Sequence, residues 1–271
     1  MTLRLINADC LIAMKDIPDK SIDIIIADLP YGRLPLDWDK TIDLEAMWIQ
    51  IWRIARSPHT PVFLFGDMKF GVQLINSQLK YFKMEIVWNK GVTTTPFQSR
   101  RMPGKCTEYI FIFYKRPPIY NIDKYHKVIN DKVNKSTMPY GDKIYSHASK
   151  GKYEPRLPIN ILEHRVVKNK KLIKKITEKP QFLLEWILKY YSNEGDNCLD
   201  FTMGSGSTGI ACQTLKRNFI GIEMKKEHFD IASLRLYKNI KILPEVEEGE
   251  WMKGNMHKHG NCKETQVNVK I

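Results

Sequence analysis

The chain has 271 residues, 43% of them hydrophobic and 27% charged, and a net charge of +13. That suits one large soluble domain, or one domain with an insertion, and gives enough chain to bury a core. No apolar run reaches the length of a membrane span, and five scattered cysteines with no CxxC pair argue against a disulfide framework and against a zinc or other metal site. The cysteines suit a reducing cytoplasmic compartment, and the N-terminus lacks the basic and apolar stretches of a signal peptide. The excess positive charge points to a polyanionic partner, nucleic acid ahead of a membrane surface.

In chain order, Leu3–Ile6 reads as a strand, Asn7-Ala8-Asp9 as its exit and Cys10–Lys15 as a short helix. Ile22–Ala27 is a short, β-branched run, the pattern of a buried strand in a parallel sheet. It delivers Asp28-Leu29-Pro30-Tyr31-Gly32 at its C-terminal end, the edge where open α/β sheets bind ligands. Asp28 can accept a hydrogen bond from an amine. Pro30 stiffens the turn and leaves the Leu29 carbonyl free. Tyr31 offers a flat face to another ring. Taken alone, this stretch is equally a strand that ends in a Pro-Tyr-Gly turn.

Residues 33–40 read as a loop. Asp43–Arg56 has helical spacing with Asp43 as N-cap, and its aromatic residues read as core. Thr60–Phe65, Met84–Trp88 and Tyr109–Tyr114 are expected strands, and Phe70–Leu79 an expected helix. Gly91–Gly104, with Arg100 and Arg101, reads as a flexible basic loop. From Ile119 to Ile176 the periodicity fades. Between Lys115 and Lys179 there are 17 basic against 6 acidic residues, interleaved with tyrosines and with His126, His147 and His164. Basic residues among aromatics suit phosphate contact and base stacking. The histidines lack metal-ligand spacing and read as DNA-facing or incidental. A stretch this long without structure is usually functional.

Thr177-Glu178-Lys179-Pro180 then opens a helix, Gln181–Tyr191, with Thr177 or its neighbour as cap. Asn197–Asp200 and Phe219–Glu223 are the sixth and seventh strands. Gly204–Gly209 opens a helix to Lys216, and Glu227–Tyr237 is the last. Residues 240–271 are polar and read as a loosely attached or disordered tail. The loop Asp200-Phe201-Thr202-Met203-Gly204-Ser205-Gly206-Ser207-Thr208-Gly209 lies between a strand and a helix, and the acid Glu223 ends the next strand. That is the arrangement of nucleotide-type cofactor sites, in which glycines admit the ligand and the acid receives ribose hydroxyls. No Gly-Lys-Ser/Thr follows, so it is not a P-loop. Asp200 beside the loop favours a cationic or zwitterionic ligand such as S-adenosylmethionine over a pyrophosphate.

On these residues the chain resembles the permuted, amino-methylating DNA methyltransferases, in which the catalytic tetrad precedes the cofactor loop. Asp28-Leu29-Pro30-Tyr31 is similar to their Asp-Pro-Pro-Tyr, and closest to the phage-type adenine enzymes. Residues 200–209, Glu223 and Thr177–Pro180 match further motifs, and the likeness covers roughly residues 3–237. Leu29 replaces a proline used through its carbonyl. Phe201-Thr202 stand where Pro-Phe is commoner, at a position associated with an aromatic contact.

The resemblance implies an α/β, Rossmann-like, seven-stranded methyltransferase sheet with permuted motif order and a basic target-recognition insertion. Residues 1–115 would form the catalytic half, 116–176 the insertion, 177–239 the S-adenosylmethionine-binding half and 240–271 a polar tail. Asp28, Leu29, Pro30 and Tyr31 would be catalytic. Asp9, Lys179, Asp200, Thr202, Gly204, Ser205, Gly206, Thr208 and Glu223 would bind the cofactor, Asp9 near its adenine and Lys179 near its methionine end. Arg100, Arg101, Lys168, Lys170 and Lys171 would contact DNA. The implied reaction is methylation of the N6 amine of adenine in a flipped-out base of double-stranded DNA, in the setting of restriction and modification, with a homodimer allowed and no membrane. Cytosine-N4 methylation uses the same geometry, and Asp rather than Ser at position 28 leans toward adenine. An RNA or protein methyltransferase and a non-catalytic DNA-binding relative remain alternatives at this point.

Overall fold

The computed structural model describes residues 1–32, 41–130, 152–163, 178–238 and 263–268. Its strands are β1 (Thr2–Asn7), β2 (Ile24–Asp28), β3 (Val62–Gly66), β4 (Phe82–Asn89), β5 (Thr107–Phe113), β6 (Lys127–Asn130), β7 (Lys152–Glu154), β8 (Ile161–Glu163), β9 (Asn197–Asp200), β10 (Asn218–Ile222) and β11 (Lys263–Asn268). The helices are α1 (Cys10–Ala13), α2 (Leu44–Ile54), α3 (Met68–Ser77), α4 (Ile122–Tyr125), α5 (Gln181–Tyr191), α6 (Ser207–Thr214) and α7 (Lys226–Lys238).

Nine strands make one sheet in the order β11-β1-β10-β9-β2-β3-β5-β4-β8. From β1 to β3 neighbouring strands run parallel. The β5 strand is antiparallel to both β3 and β4. All seven expected strands lie in this sheet, and β8 and β11 extend it to nine. Both additions are edge strands. An edge offers a free row of N–H and C=O groups, so a short segment can pair there without the apolar alternation that marks a buried strand. For that reason β11 corrects the expectation of a loose tail over 240–271: Lys263–Asn268 pairs antiparallel along β1. Likewise β8 pairs parallel to β4, within the stretch where periodicity fades.

Helices cover both faces. On one side, Leu183 and Ile187 of α5, Ala211 of α6 and Leu236 of α7 pack on Ile24, Ile26, Phe63 and Phe65. On the other, Met47 and Ile51 of α2 and Phe70 and Leu74 of α3 pack on Ile25, Val62 and Leu64. Burial on both faces explains the continuous apolar run of β2, Ile24-Ile25-Ile26-Ala27, all at most 1% exposed. The connections diverge between β9 and β2: the chain leaves β2 for β3 on one side, and β9 for β10 on the other. Such a switch point opens a crevice at the C-terminal ends of the strands.

Local signals place the helices. Asp43 caps α2, accepting from the amides of Glu45 and Ala46 at 3.0 and 3.1 Å. Asp67 caps α3 through the Phe70 amide, so this helix starts at Met68, earlier than expected. The N-cap of α5 is Pro180, with no side-chain cap; Thr177, the expected cap, lies outside the described residues.

Three aromatic residues of the 116–176 segment make contacts within the protein that composition did not suggest. Tyr120 packs on Tyr190 and Tyr191 with ring centroids 5.7 and 5.0 Å apart, and Tyr125 meets Tyr190 edge-on at 5.6 Å. His126 is 5% exposed, with its ring nitrogens 2.8 Å from the Tyr190 hydroxyl and the Pro155 carbonyl. These three pack the segment onto α5; His126 is buried there, while Tyr120 keeps an exposed face. His147 and His164 lie outside the described residues.

Arg217, 4% exposed, holds the other end of α5. Its guanidinium donates to the carbonyls of Leu188 (3.2 Å), Ser192 (2.8 Å) and Leu215, and to Ser192 Oγ (2.9 Å). A cation here adds to the bonds the Leu188 carbonyl already accepts and complements the negative end of the helix dipole. Arg217→Ala should lower stability by about 1.5–3 kcal/mol, the usual worth of hydrogen bonds to a charged group, read by urea denaturation.

Candidate active site

The ends of β2 and β9 bring the two motifs together. One cavity is lined by Ala27 and Asp28 from β2, Phe65 from β3, Glu178 and Lys179 before α5, and Asp200, Thr202, Met203, Gly204, Ser205 and Thr208 from the Gly-rich turn.

On the catalytic side, Asp28 has both carboxylate oxygens engaged. Oδ1 accepts from the Tyr31 hydroxyl at 2.9 Å, and Oδ2 pairs with Lys179 Nζ at 2.7 Å. Lys179 Nζ also bonds Glu108 Oε1 at 2.7 Å, and Glu108 Oε2 pairs with Lys90 Nζ at 2.6 Å. The Tyr31 hydroxyl lies 3.2 Å from Glu108 Oε1 as well. Two carboxylates and two ammoniums thus form a neutral, mostly buried chain. Burial alone would raise the Glu108 pKa, but Lys179 and Lys90 hold it down at about 2. Burial alone would lower that of Lys179, and Asp28 and Glu108 outweigh it and raise it. Burial, then the Asp28 and Glu108 charges, push the Tyr31 phenol well above its usual range, so it is a neutral donor. Its ring leans on Phe70, with centroids 5.2 Å apart.

On the other side, Asp200 is 4% exposed. It accepts from Thr208 Oγ1 at 2.6 Å and the Thr202 amide at 3.1 Å. Burial raises its pKa to about 7, with help from the Asp28 and Glu223 charges against those two bonds. Glu223 accepts from the Gly204 amide at 3.0 Å and the Lys225 amide at 2.8 Å, and Asn7 Nδ2 donates to its carbonyl at 2.8 Å. Gly204 takes φ +53° and its Cβ position is open, so strain alone restricts that site. Gly206 takes φ +80°, but a Cβ there would meet Ala232 and Leu236 of α7 at 3.1 Å; it serves helix packing.

Several expected residues also have partners within the protein. Thr208 is buried and supports Asp200. Ser205 is buried, and its carbonyl accepts from Arg235 at 2.8 Å. Asp9 caps α1 through the amides of Leu11 (2.8 Å) and Ile12 (3.2 Å). Lys179 lines the cavity, yet its ammonium is committed to Asp28 and Glu108. Arg100 and Arg101 are exposed on the β4–β5 loop. Lys168, Lys170 and Lys171 lie outside the described residues. Glu108, Lys90, Phe70, Asn7 and Arg235 were not singled out from sequence. Only Glu108, an acid heading the apolar strand Tyr109–Tyr114, left any trace there.

A doubly wound sheet that carries an Asp-Leu-Pro-Tyr turn and a Gly-rich, acid-trailed loop into one crevice defines a Rossmann-like methyltransferase domain. The family model described as DNA methylase matches residues 22–234, and the chain belongs to that family. It is 29% identical over 259 residues to the Type II methyltransferase M.HpaI of Haemophilus parainfluenzae, spanning 87% of this chain and 74% of that one. It is 28% identical over 257 residues to the Type II methyltransferase M2.DpnII of Streptococcus pneumoniae, spanning 86% and 88%. Of solved structures, the M1.HpyAVI–SAM complex matches with a TM-score of 0.57 at 25% identity, over 86% of this chain and 100% of that one. The cytosine-N4-specific PvuII DNA methyltransferase matches at 0.62 with 13% identity, over 91% and 89%, a likeness of fold.

Two measurements test this electrostatic reading. Lys179→Met leaves Asp28 without a cation and Glu108 with Lys90 alone and should cost about 3–5 kcal/mol at pH 7; adding Asp28→Asn should recover part of that loss in urea denaturation. Asp200 gives a pH signature. Between the ordinary aspartate value of about 3.9 and about 7, the folded protein holds a proton that the unfolded chain has released. Its contribution to stability should therefore fall as pH rises through that window. Asp200→Asn should flatten this part of the stability–pH curve.

Proposed function

We propose that the protein transfers a methyl group from S-adenosylmethionine to the N6 amine of adenine in double-stranded DNA, as the modification enzyme of a restriction–modification pair. The observation that carries this reading is the meeting of Asp28 and Asp200 in one cavity, within a chain of the DNA methylase family.

The residues present suit the cofactor. Asp200 is a buried carboxylate facing a cavity that, among the described residues, is lined by no cation beyond Lys179, which is already paired. Thr202 Oγ1 is buried without a hydrogen-bond partner among the described residues, and a polar ligand would satisfy it. Gly204 leaves its side of the turn open. Asp200 and Thr202 would hold the amino acid end, and Glu223 the ribose. When bound, S-adenosylmethionine supplies an electrophilic methyl group on a sulfonium.

The protein's own part is to prepare the amine. The lone pair of an exocyclic amine is delocalised into the base, which makes it a poor nucleophile. Hydrogen bonds from that NH₂ to an Asp28 carboxylate oxygen and to the Leu29 carbonyl would draw the lone pair back onto nitrogen. The amine would displace the Tyr31 hydroxyl from Asp28 Oδ1, a donor replacing a donor, and release the ring to stack on the base. Lys179 would keep Asp28 ionised and fixed throughout. Residues 116–176, with Lys168, Lys170 and Lys171, would form the target-recognition insertion, and Arg100 and Arg101 would add phosphate contacts. Residues 1–115 and 177–239 would be the catalytic and cofactor halves of one domain. Four cysteines are free among the described residues, in keeping with a cytoplasmic setting. A homodimer rests on the resemblance alone.

Incubation with labelled cofactor and DNA, digestion to nucleosides and separation should place the label on N6-methyladenine. Label on N4-methylcytosine would overturn the adenine assignment, and no label on DNA the whole reading. Asp28→Ala should keep cofactor binding and lose about 10²–10³ in single-turnover rate, the usual loss for a contact that tightens in the transition state. Tyr31→Phe should keep most activity. Tyr31→Ala should lose the stacking platform, worth about 1–3 kcal/mol.

A further inference from the structure

Phe97 is 98% exposed, the most exposed large hydrophobic side chain among the described residues. It sits at the tip of the loop that joins β4 to β5. The loop is built, not slack. Lys90 N donates to the Cys106 carbonyl at 2.8 Å. Thr94 N and Oγ1 both reach the Lys105 carbonyl, at 2.7 and 3.0 Å, and Lys105 N donates to Thr95 Oγ1 at 2.9 Å. A 3-10 turn over Pro96–Gln98 forms the knuckle, and Ser99 Oγ ties it to the Thr95 carbonyl at 3.2 Å. An apolar ring is thus held out into water on a preformed support.

The position and charge of the loop indicate what that ring meets. Both legs of the loop rise from the catalytic cluster: Lys90 pairs with Glu108 at the base, and Glu108 bonds Lys179 beside Asp28. Between Lys90 and Thr107 there are four basic and no acidic residues. Arg100 and Arg101 follow Phe97 and are exposed. A cationic loop with an apolar tip suits a polyanion whose interior is apolar and stacked, which is duplex DNA. Resting on the DNA methyltransferase reading above, we propose that Phe97 is a positioning residue that wedges into the base stack beside the target. It would fill the gap left when the base leaves the duplex, while Arg100 and Arg101 hold the flanking phosphates. A base out of its stack costs a few kcal/mol to maintain, and an apolar ring in the vacated space lowers that cost by restoring stacking. The preformed loop saves the ordering entropy.

The test uses the full chain and an oligonucleotide duplex that carries the site mapped in the labelling assay. The target is either correctly paired or placed in a mismatch that already loosens it. Phe97→Ala should fold with an unchanged melting temperature, because the ring touches so little protein. On the paired duplex it should lose about 10-fold or more in single-turnover rate, as expected for one lost stacking contact. On the mismatched duplex the loss should shrink several-fold. Phe97→Leu, which keeps an apolar wedge, should recover most of the rate on the paired target. Equal losses on both duplexes, or no loss on either, would overturn the wedge while leaving the methyltransferase reading intact. A wild-type protein inactive on all DNA would instead overturn that reading, and the wedge with it.

Discussion

The Lys179 ammonium is the interaction on which the site depends. It lies 2.7 Å from both Asp28 and Glu108, and so joins three parts of the chain that are far apart in sequence. Asp28 ends β2, Glu108 lies near the start of β5, and Lys179 stands just before α5. Bringing charges out of water is costly unless each finds a close partner. Here the partners close on one another: Lys90 completes Glu108, Lys179 completes Asp28, and the Tyr31 hydroxyl spans both acids. Loss of any one charge leaves another stranded. The cost of desolvation thereby becomes a constraint on geometry, and the Asp28 carboxylate is fixed in place by its partners.

The rest of the fold serves that constraint. Residue 179 can reach residue 28 only because β9 pairs beside β2, with Ile24 opposite Cys198 and Ile25 opposite Leu199. Arg217 holds the far end of α5, and Tyr190 and Tyr191 of that helix collect Tyr120, Tyr125 and His126. Arg235 of α7 reaches both Ser205 and Glu178, so α7 braces the Gly-rich loop and the segment that carries Lys179. Supports of this kind lie on helices and strands around a cavity lined by Asp28, Lys179, Asp200, Thr202 and Gly204 among others.

The two carboxylates of the cavity are prepared in opposite ways. Asp28 already has a cation. Asp200 does not, and its raised pKa records a buried acid that accepts bonds from Thr202 and Thr208 while sharing the site with like charges. A neutral Asp200 tolerates burial. An ionised one calls for a positive ligand. The cavity thus holds one carboxylate paired with a cation, Asp28, and one, Asp200, that burial holds toward its neutral form.

Much of this was legible in the amino-acid sequence. The seven central strands, the permuted order of the motifs, the caps at Asp43 and the span of α5 follow from apolar runs, turn residues and spacing, which are local properties. The Asp28 and Asp200 motifs were legible too, because each is contiguous. The edge strands β8 and β11 were not, since an edge needs backbone pairing and no pattern of side chains. Nor were Glu108, Lys90 and Arg235, whose meaning lies in what they touch. Tyr120 and Tyr125 read as free stacking surfaces because composition does not show that a ring packs on a distant helix. Sequence determined which residues could do chemistry. Tertiary structure alone decided which of them stand in the cavity and which stand behind it, because partnership between distant charges exists only once the sheet has brought them within hydrogen-bonding reach.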